Sequence, residues 1–329
     1  LYEEGVLRVV GLLGKCIVLI YSIRILHNSM DFEAIQTFLA VHQTGGFSVA
    51  AARLRRSQPA ISRRIALLED ELGAPLFERT SQGVVLSQAG EVLLPFAEKA
   101  VAALEDCEGA IAGLSNGTGG PVSLVAVGTL ADIALTRVLK DFRRAYPAVA
   151  LTLRTATSAQ VSDLVRRGEV TIGLRYFDDR AADLTCEWVF DERLGVVCAP
   201  DHRLANDCVS SLADLKQEHW FAFPAAGDPA EAASGNIFAQ FLIRDVPAID
   251  WTQVDSLTAQ KRLVEAGYGL ALMPQSAVAD EVDRGALAWV EVDDLAVTQP
   301  VYVVVRTQGY LSPASTALMQ FLKDQPNAN

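Results

Sequence analysis

Five arginines, Arg53, Arg55, Arg56, Arg63 and Arg64, fall within twelve residues that contain no acid. Guanidinium groups at that density suit oxyanions. They hold phosphates as fixed cations, and a well-placed one pairs with a guanine edge through two N–H donors. Gln58 and Ser62 lie among them; glutamine can pair with adenine through two bonds, and serine with either purine. The acids Glu69, Asp70 and Glu71 come only afterwards. On composition alone a solvated arginine-rich face accounts for the run equally well, so the elements that carry the arginines must decide.

Those elements are short helices. Phe32, Ile35, Phe38, Leu39 and His42 recur at helical spacing behind Asp31, a good cap, and Gly45-Gly46 ends the segment. A second helix follows, with Ser48 expected as its cap and Ala50, Ala51 and Leu54 inside. Ser57 then caps a third, with Pro59 tolerated in its first turn and Ile61, Ile65, Leu68 and Leu72 as its buried stripe up to Gly73. Two short helices joined by a tight turn form a helix-turn-helix. Its second helix carries Gln58, Ser62 and Arg63 away from the apolar stripe near its amino end, the end that enters a major groove, while the acids lie at the far end. Leu76-Phe77 and Val84-Val85-Leu86 flank a turn at Ser81-Gln82-Gly83, a hairpin suited to be a wing. Arg79 and Thr80 lie near its tip, within reach of phosphate.

The stretches Phe47-Ser-Val-Ala-Ala-Ala-Arg-Leu, Ser57-Gln-Pro-Ala-Ile-Ser-Arg-Arg-Ile and Leu67-Leu-Glu-Asp-Glu-Leu-Gly-Ala-Pro-Leu-Phe-Glu-Arg79, with Val85-Leu-Ser-Gln-Ala-Gly90 after them, resemble the LysR family of transcriptional regulators. Ser87 stands where that family usually has threonine. The resemblance implies that Gln58, Pro59, Ser62 and Arg63 face bases and that Arg53, Arg79 and Thr80 hold the phosphate backbone. Arg55 and Arg56 complete the basic docking surface.

Leu93, Ala97, Ala100, Leu104, Cys107 and Ile111 are spaced 4, 3, 4, 3, 4, a heptad seam suited to pairing with another helix, and Pro95 near its start permits a bend. In LysR-like proteins this helix dimerises the DNA-binding modules, so a homodimer, and by resemblance a homotetramer, is expected. Ser115-Asn-Gly-Thr-Gly-Gly-Pro121 reads as a flexible linker.

Beyond it strands and helices alternate. Strands are expected at Val122–Val127, Val149–Leu153, Val170–Leu174, Gly195–Cys198, Phe221–Phe223, Ile249–Val254, Gly269–Leu272 and Val301–Val305. Helices are expected at Ala131–Ala145, Ser158–Arg167, Ala232–Leu242, Ser256–Ala266 and Pro313–Leu322. This is α/β architecture with mostly parallel sheets, and its length suits two lobes. The resemblance implies a periplasmic-binding-protein-like effector domain, carried by Phe142-Arg-Arg-Ala-Tyr-Pro-Ala-Val-Ala-Leu and Gly267-Tyr-Gly-Leu-Ala-Leu-Met-Pro274. The whole chain is then an α+β multidomain protein. It has an extension over 1–29, a winged helix-turn-helix over 30–90, a dimerisation helix over 91–116 and an effector-binding domain over 117–329. Lobe one of that domain takes 121–196 and 300–329; lobe two takes 197–299. In such folds a small ligand sits between the lobes at strand ends and helix amino termini. Thr129, Ser158 and Arg175 are the expected contacts from lobe one, with Arg175 suited to clamp a carboxylate. Phe223, Pro224 and Ser256 are expected from lobe two. Each has a plainer alternative: Thr129 and Ser158 as helix caps, Arg175 as a surface residue.

The remaining composition excludes little but directs the rest. The net charge of −12 argues against a uniformly basic surface, not against a local basic patch. Cys16, Cys107, Cys186, Cys198 and Cys208 show no C-x-x-C pairing, and His27, His42, His202 and His219 are scattered. Reduced thiols in the cytoplasm, no metal and no cofactor are expected. No G-x-S-x-G elbow, P-loop or dinucleotide fingerprint supports an enzyme. A molybdate-type regulator or an α/β ligand-binding protein are the alternatives, and the Ser57–Arg63 motif with the heptad helix favours the LysR reading. The partners expected are double-stranded DNA, a small effector and RNA polymerase. Arg8, Lys15 and Arg24 interrupt the apolar run near Cys16, so Met30 is the expected natural start, with a membrane anchor as the minor alternative.

Overall fold

Asp31 starts the first helix, α1 (Phe32–Thr44), by accepting the Ala34 N–H at 2.7 Å, and Gly45 ends it at φ 66°. The computed structural model describes residues 31–80, 83–116, 120–131, 133–224 and 236–324. The 1–29 extension, Met30, the turn residues Ser81 and Gln82, linker residues 117–119, and residues 232–235 of an expected helix lie outside the described residues. Ala34, Ile35, Phe38, Leu39 and Val41 are buried, whereas Phe32 and His42, expected on the same face, are exposed at the helix ends. α2 (Phe47–Arg53) starts from the extended Gly46 without a side-chain cap. Ser48 is therefore inside α2 rather than capping it, because the Gly45-Gly46 pair completes the turn earlier than expected.

The turn into α3 (Gln58–Leu72) holds Arg55 at φ 53°, a left-handed conformation, and Ser57 caps the helix by accepting the Ala60 N–H. Ile61, Ile65 and Leu68 are buried; Leu72 is the last helical residue and is exposed, off the core. Strands β1 (Phe77–Thr80) and β2 (Gly83–Leu86) pair antiparallel, with Phe77 opposite Leu86 and Thr80 opposite Gly83. The hairpin is fixed at its base. Glu69 accepts the Leu76 N–H at 2.7 Å, and the Phe77 ring centroid lies 5.3 Å from that of Phe38 and 5.9 Å from that of Phe47. Helix α4 (Gln88–Asn116) follows and runs through Pro95. A Cβ on Gly90 would lie 2.2 Å from the Leu76 carbonyl oxygen, so only glycine lets α4 start this close to the hairpin.

The chain forms two compact units that divide between Val101 and Ala102, inside α4. Among the described residues, the second unit carries one connected sheet of ten strands. In chain order its elements are β3 (Val122–Val127), a 3₁₀ turn (Gly128–Leu130), α5 (Ile133–Ala145), β4 (Leu151–Ala156), α6 (Ser158–Arg166), β5 (Ile172–Tyr176), β6 (Leu184–Cys198), β7 (Cys208–Val209) and β8 (His219–Ala222). They continue as α7 (Ile237–Leu242), β9 (Asp250–Gln253), α8 (Leu257–Glu265), β10 (Leu270–Pro274), α9 (Gln275–Asp283), β11 (Ala288–Val292), β12 (Thr298–Arg306) and α10 (Pro313–Lys323). The strand order is β4-β3-β5-β12-β6-β10-β8-β9, with β11 beside β6 and β7 beside β11.

One strand, β6, pairs within both lobes. β6 pairs with β12 from Leu184 to Arg193, then with β10 and β11 from Leu194 to Cys198. The partner change falls at Arg193/Leu194, a few residues before the expected lobe boundary at 196. Pairing is parallel among β4, β3 and β5 and among β9, β8 and β10, but antiparallel wherever β6 or β12 meets its neighbours in the main order. The expectation of mostly parallel sheets thus holds for three strands of each lobe and fails wherever β6 or β12 takes part. One core surrounds Leu124, Phe142, Ile172 and Val303; the other lobe packs around Trp220, Phe241, Leu270 and Met273. No helix among the described residues is long and apolar enough to cross a membrane.

Candidate nucleic-acid interface and effector site

Gln58 and Ser62 are one turn apart at the start of α3, and the Gln58 amide donates to Ser62 Oγ at 2.8 Å. Gln58, Pro59 and Arg63 are exposed, and Ser62 is half-buried. Packing Ile61, Ile65 and Leu68 inward turns these side chains to the opposite face. The arginines then separate into two kinds. Arg56 pairs with Glu33 at 3.1 Å, and Arg64 pairs with Asp31 at 3.0 Å and Glu33 at 2.5 Å. Arg64 ties α3, and Arg56 ties the turn that leads into it, to the start of α1. Arg53, Arg55, Arg63 and Arg79 are exposed and have no ion pair among the described residues. Thr80 is exposed and donates its hydroxyl to the Gly83 carbonyl at 3.1 Å, stiffening the hairpin.

The expected effector residues stand at the ends of parallel strands. Thr129 follows β3, and its hydroxyl lies 2.9 Å from the Tyr176 hydroxyl. Ser158 is the first residue of α6, after β4. It is not the cap: Thr157 is, in a reciprocal capping box with Gln160. Ser158 Oγ is buried with no hydrogen-bond partner among the described residues. A buried hydroxyl without a partner is costly unless a bound group or water satisfies it.

Arg175 is 3% exposed, so it is no surface residue. Its Nη1 donates to Ser162 Oγ at 2.6 Å and to Asp179 Oδ2 at 3.0 Å, and its Nε donates to the Tyr176 carbonyl at 3.0 Å. Burial works to raise the Asp179 pKa, but the Ser162 hydroxyl, the Ala181 N–H, Arg175 and Arg166 together hold it below the ordinary carboxylate value. The clamp expected for a ligand carboxylate thus already holds one from its own chain. In the other lobe, Phe223 is half-buried and Pro224 exposed just after β8, and Ser256 caps α8 by accepting the Ala259 N–H at 3.3 Å. Sequence reasoning missed Gln260, fully buried in the first turns of α8. It donates to the Val254 carbonyl at 2.8 Å, while its Oε1 is unpartnered among the described residues. Nothing in the sequence distinguished it from any other polar residue on a helix.

Residues 32–91 match the family model described as bacterial regulatory helix-turn-helix protein, lysR family, and residues 115–327 match the LysR substrate binding domain. The chain belongs to the LysR family. It is 26% identical to the RuBisCO operon transcriptional regulator of Allochromatium vinosum over 293 residues, covering 89% of this chain and 95% of that one. It is 25% identical to the regulator GltR of Bacillus subtilis (strain 168) over 295 residues, covering 90% and 97%. The crystal structure of CbnR, a LysR family transcriptional regulator, shares the fold with a TM-score of 0.63 at 23% identity, covering 89% of this chain and 98% of that one.

As a LysR regulator, the chain carries a DNA-binding unit and an effector-binding domain, and α4 leads from the first toward the second. Leu93 and Ala97, expected in the heptad seam, pack into the core of the first unit, Ala97 being 1% exposed. The exposed apolar stripe runs one residue earlier, with Val92 at 64% and Phe96 at 67%, and continues through Ala100, Leu104, Cys107 and Ile111. The first turns of the helix thus carry apolar residues on two faces: one closes the module and the adjacent one is exposed. The spacing alone could not separate them, because apolar residues occupy both.

Proposed function

We propose that a pair of these chains reads double-stranded DNA through α3. Gln58, Pro59, Ser62 and Arg63 face bases, and Arg53, Arg55, Arg79 and Thr80 face phosphates. The observation that carries this reading is the sorting of the arginines: Arg56 and Arg64 are held by carboxylates as braces, while Arg53, Arg55, Arg63 and Arg79 are exposed without an ion pair among the described residues. A surface merely solvated by charge has no reason to sort that way. The braces fix the angle of α3, and the hydrogen bond between Gln58 and Ser62 orders the reading face before contact. The exposed stripe of α4 supplies the second copy, which a two-fold operator requires. A cytoplasmic location and contact with RNA polymerase follow from that role.

The effector-binding domain takes a small ligand with an anionic group at the amino end of α6. There the Ser158 hydroxyl, unpartnered among the described residues, and the first backbone N–H groups of the helix are the donors on offer. The buried, self-paired Arg175 orders that wall from behind. Phe223, Pro224, Ser256 and Gln260 form the facing wall. Replacing Arg63 with alanine should weaken binding to a selected operator by about 1–3 kcal/mol and relax the preference at one base position. Competition binding against single-base operator variants checks this, and unchanged affinity and preference would remove Arg63 from the reading face.

A further inference from the structure

Arg306 is the last residue of β12, and its side chain lies in a slot between two glycines. A Cβ on Gly168 would fall 2.9 Å from Arg306 Nη1, and one on Gly309 would fall 2.9 Å from Arg306 Cβ. Gly168 also holds φ 78°, a conformation that strains other residues. From this slot Arg306 Nη2 reaches Asp106 Oδ1 on α4 at 2.5 Å, and the second Asp106 oxygen accepts the Tyr310 N–H at 3.2 Å. One turn earlier on the same face of α4, Ala102 is buried. Its Cβ lies 2.7 Å from the Cβ position of Gly168, so a side chain there would push the helix away. The pair is largely shielded, with Arg306 14% and Asp106 21% exposed, and is screened less than an open surface pair.

The placement gives this pair a use beyond packing. The near end of β12 is Arg306; its far end, Thr298, pairs with Arg193, where β6 passes from one lobe to the other. Helix α4, in turn, is continuous from the wing hairpin to Asn116. Arg306 therefore lies where the strand from the lobe crossover meets the helix from the wing.

We propose that the Asp106–Arg306 pair, seated between Gly168 and Gly309, is a coupling lock that makes α4 beyond Val101 move with the effector-binding unit. Movement at the lobe crossover then reaches the DNA-reading pair through β12 and α4. The lock rests on the DNA-binding reading and is independent of which effector is bound.

The test uses full-length Arg306→Leu, Asp106→Asn and the double variant, with Arg306→Lys as the milder change. Amide hydrogen exchange is read over 102–111 and over the wing, and the DNA bend angle is read on an operator selected from random-sequence DNA. Each single variant should speed exchange over 102–111 by about tenfold, the ratio for an interaction of roughly 1.4 kcal/mol, with the wing unchanged. The bend angle should shift, the double variant should go no further than either single one, and Arg306→Lys should fall between. Unchanged exchange over 102–111 overturns the lock whichever way DNA binding goes. Additive effects in the double variant, or faster exchange with an unchanged bend angle, also overturn it. Loss of DNA binding with faster exchange confined to 102–111 would uphold the lock, since the damage would lie outside the reading face.

Discussion

Raising salt from 50 to 200 mM should weaken operator binding by about three powers of ten, with a log–log slope of about −5. The sorted arginines set that figure. Arg53, Arg55 and Arg79 are the phosphate-facing cations of each copy, so a pair of chains displaces roughly six counterions, each contributing about −0.9 to the slope. Arg56 and Arg64 are left out because Glu33 and Asp31 already neutralise them. The measurement is an equilibrium titration of one operator at several salt concentrations. A slope near −9, by the same rule, would mean that both braces leave their carboxylates for phosphate on docking. A flat titration would contradict the arginine run as the docking surface. The chain's overall charge of −12 makes this a sharp test, since a non-specific attraction to DNA would have to overcome repulsion from the rest of the protein.

Arg175→Ala should destabilise the effector-binding unit by about 3–5 kcal/mol, because it leaves the Asp179 carboxylate and Ser162 without their buried cation. All four tryptophans, Trp188, Trp220, Trp251 and Trp289, lie in that unit, so denaturation followed by tryptophan fluorescence reports on it alone. The loss should depend on acidity with a definite sign. The Asp179 carboxyl is held below its ordinary value of 3.8, so the stabilisation is complete above that pH and fades as pH falls through the lower folded value. The variant and the parent protein should therefore converge in acid. A variant with an unchanged denaturation midpoint would instead mark Arg175 as a ligand contact without a structural part.

The helix-turn-helix was legible because its signals are local. Asp31, Ser57, Gly45 and Gly73 punctuate the helices through their own backbone neighbours, and the structure uses each in that way. Ser48 misled because serine is a common cap, and only the glycine pair before it decides where the turn ends. Inner parallel strands of the effector unit were legible from apolar runs such as Val122–Val127. β6 was read as four residues rather than fifteen, because Glu187, Asp191, Glu192 and Arg193 interrupt its apolar alternation. Those charges are tolerated because β6 crosses between lobes, where Glu192 accepts the Ser276 hydroxyl at 2.8 Å. α9 was missed since it begins directly at Pro274 with no loop to announce it. The Arg175–Asp179 pair and the partners of Arg56 and Arg64 were out of reach for a different reason. Composition shows a charge but not whether another residue of the chain has already claimed it.

The central claim, that a pair of chains reads DNA with the outward face of α3, is tested most directly by recovering the DNA the protein binds. Genomic fragments would be captured by the parent protein and, in parallel, by a variant with Arg53, Arg55, Arg63 and Arg79 replaced by alanine. The account predicts that the parent enriches fragments sharing an inverted repeat with half-sites about 10 base pairs apart or a multiple of that. The variant should enrich none of them. Equal enrichment by both proteins, or enriched fragments without a repeated half-site, would contradict it.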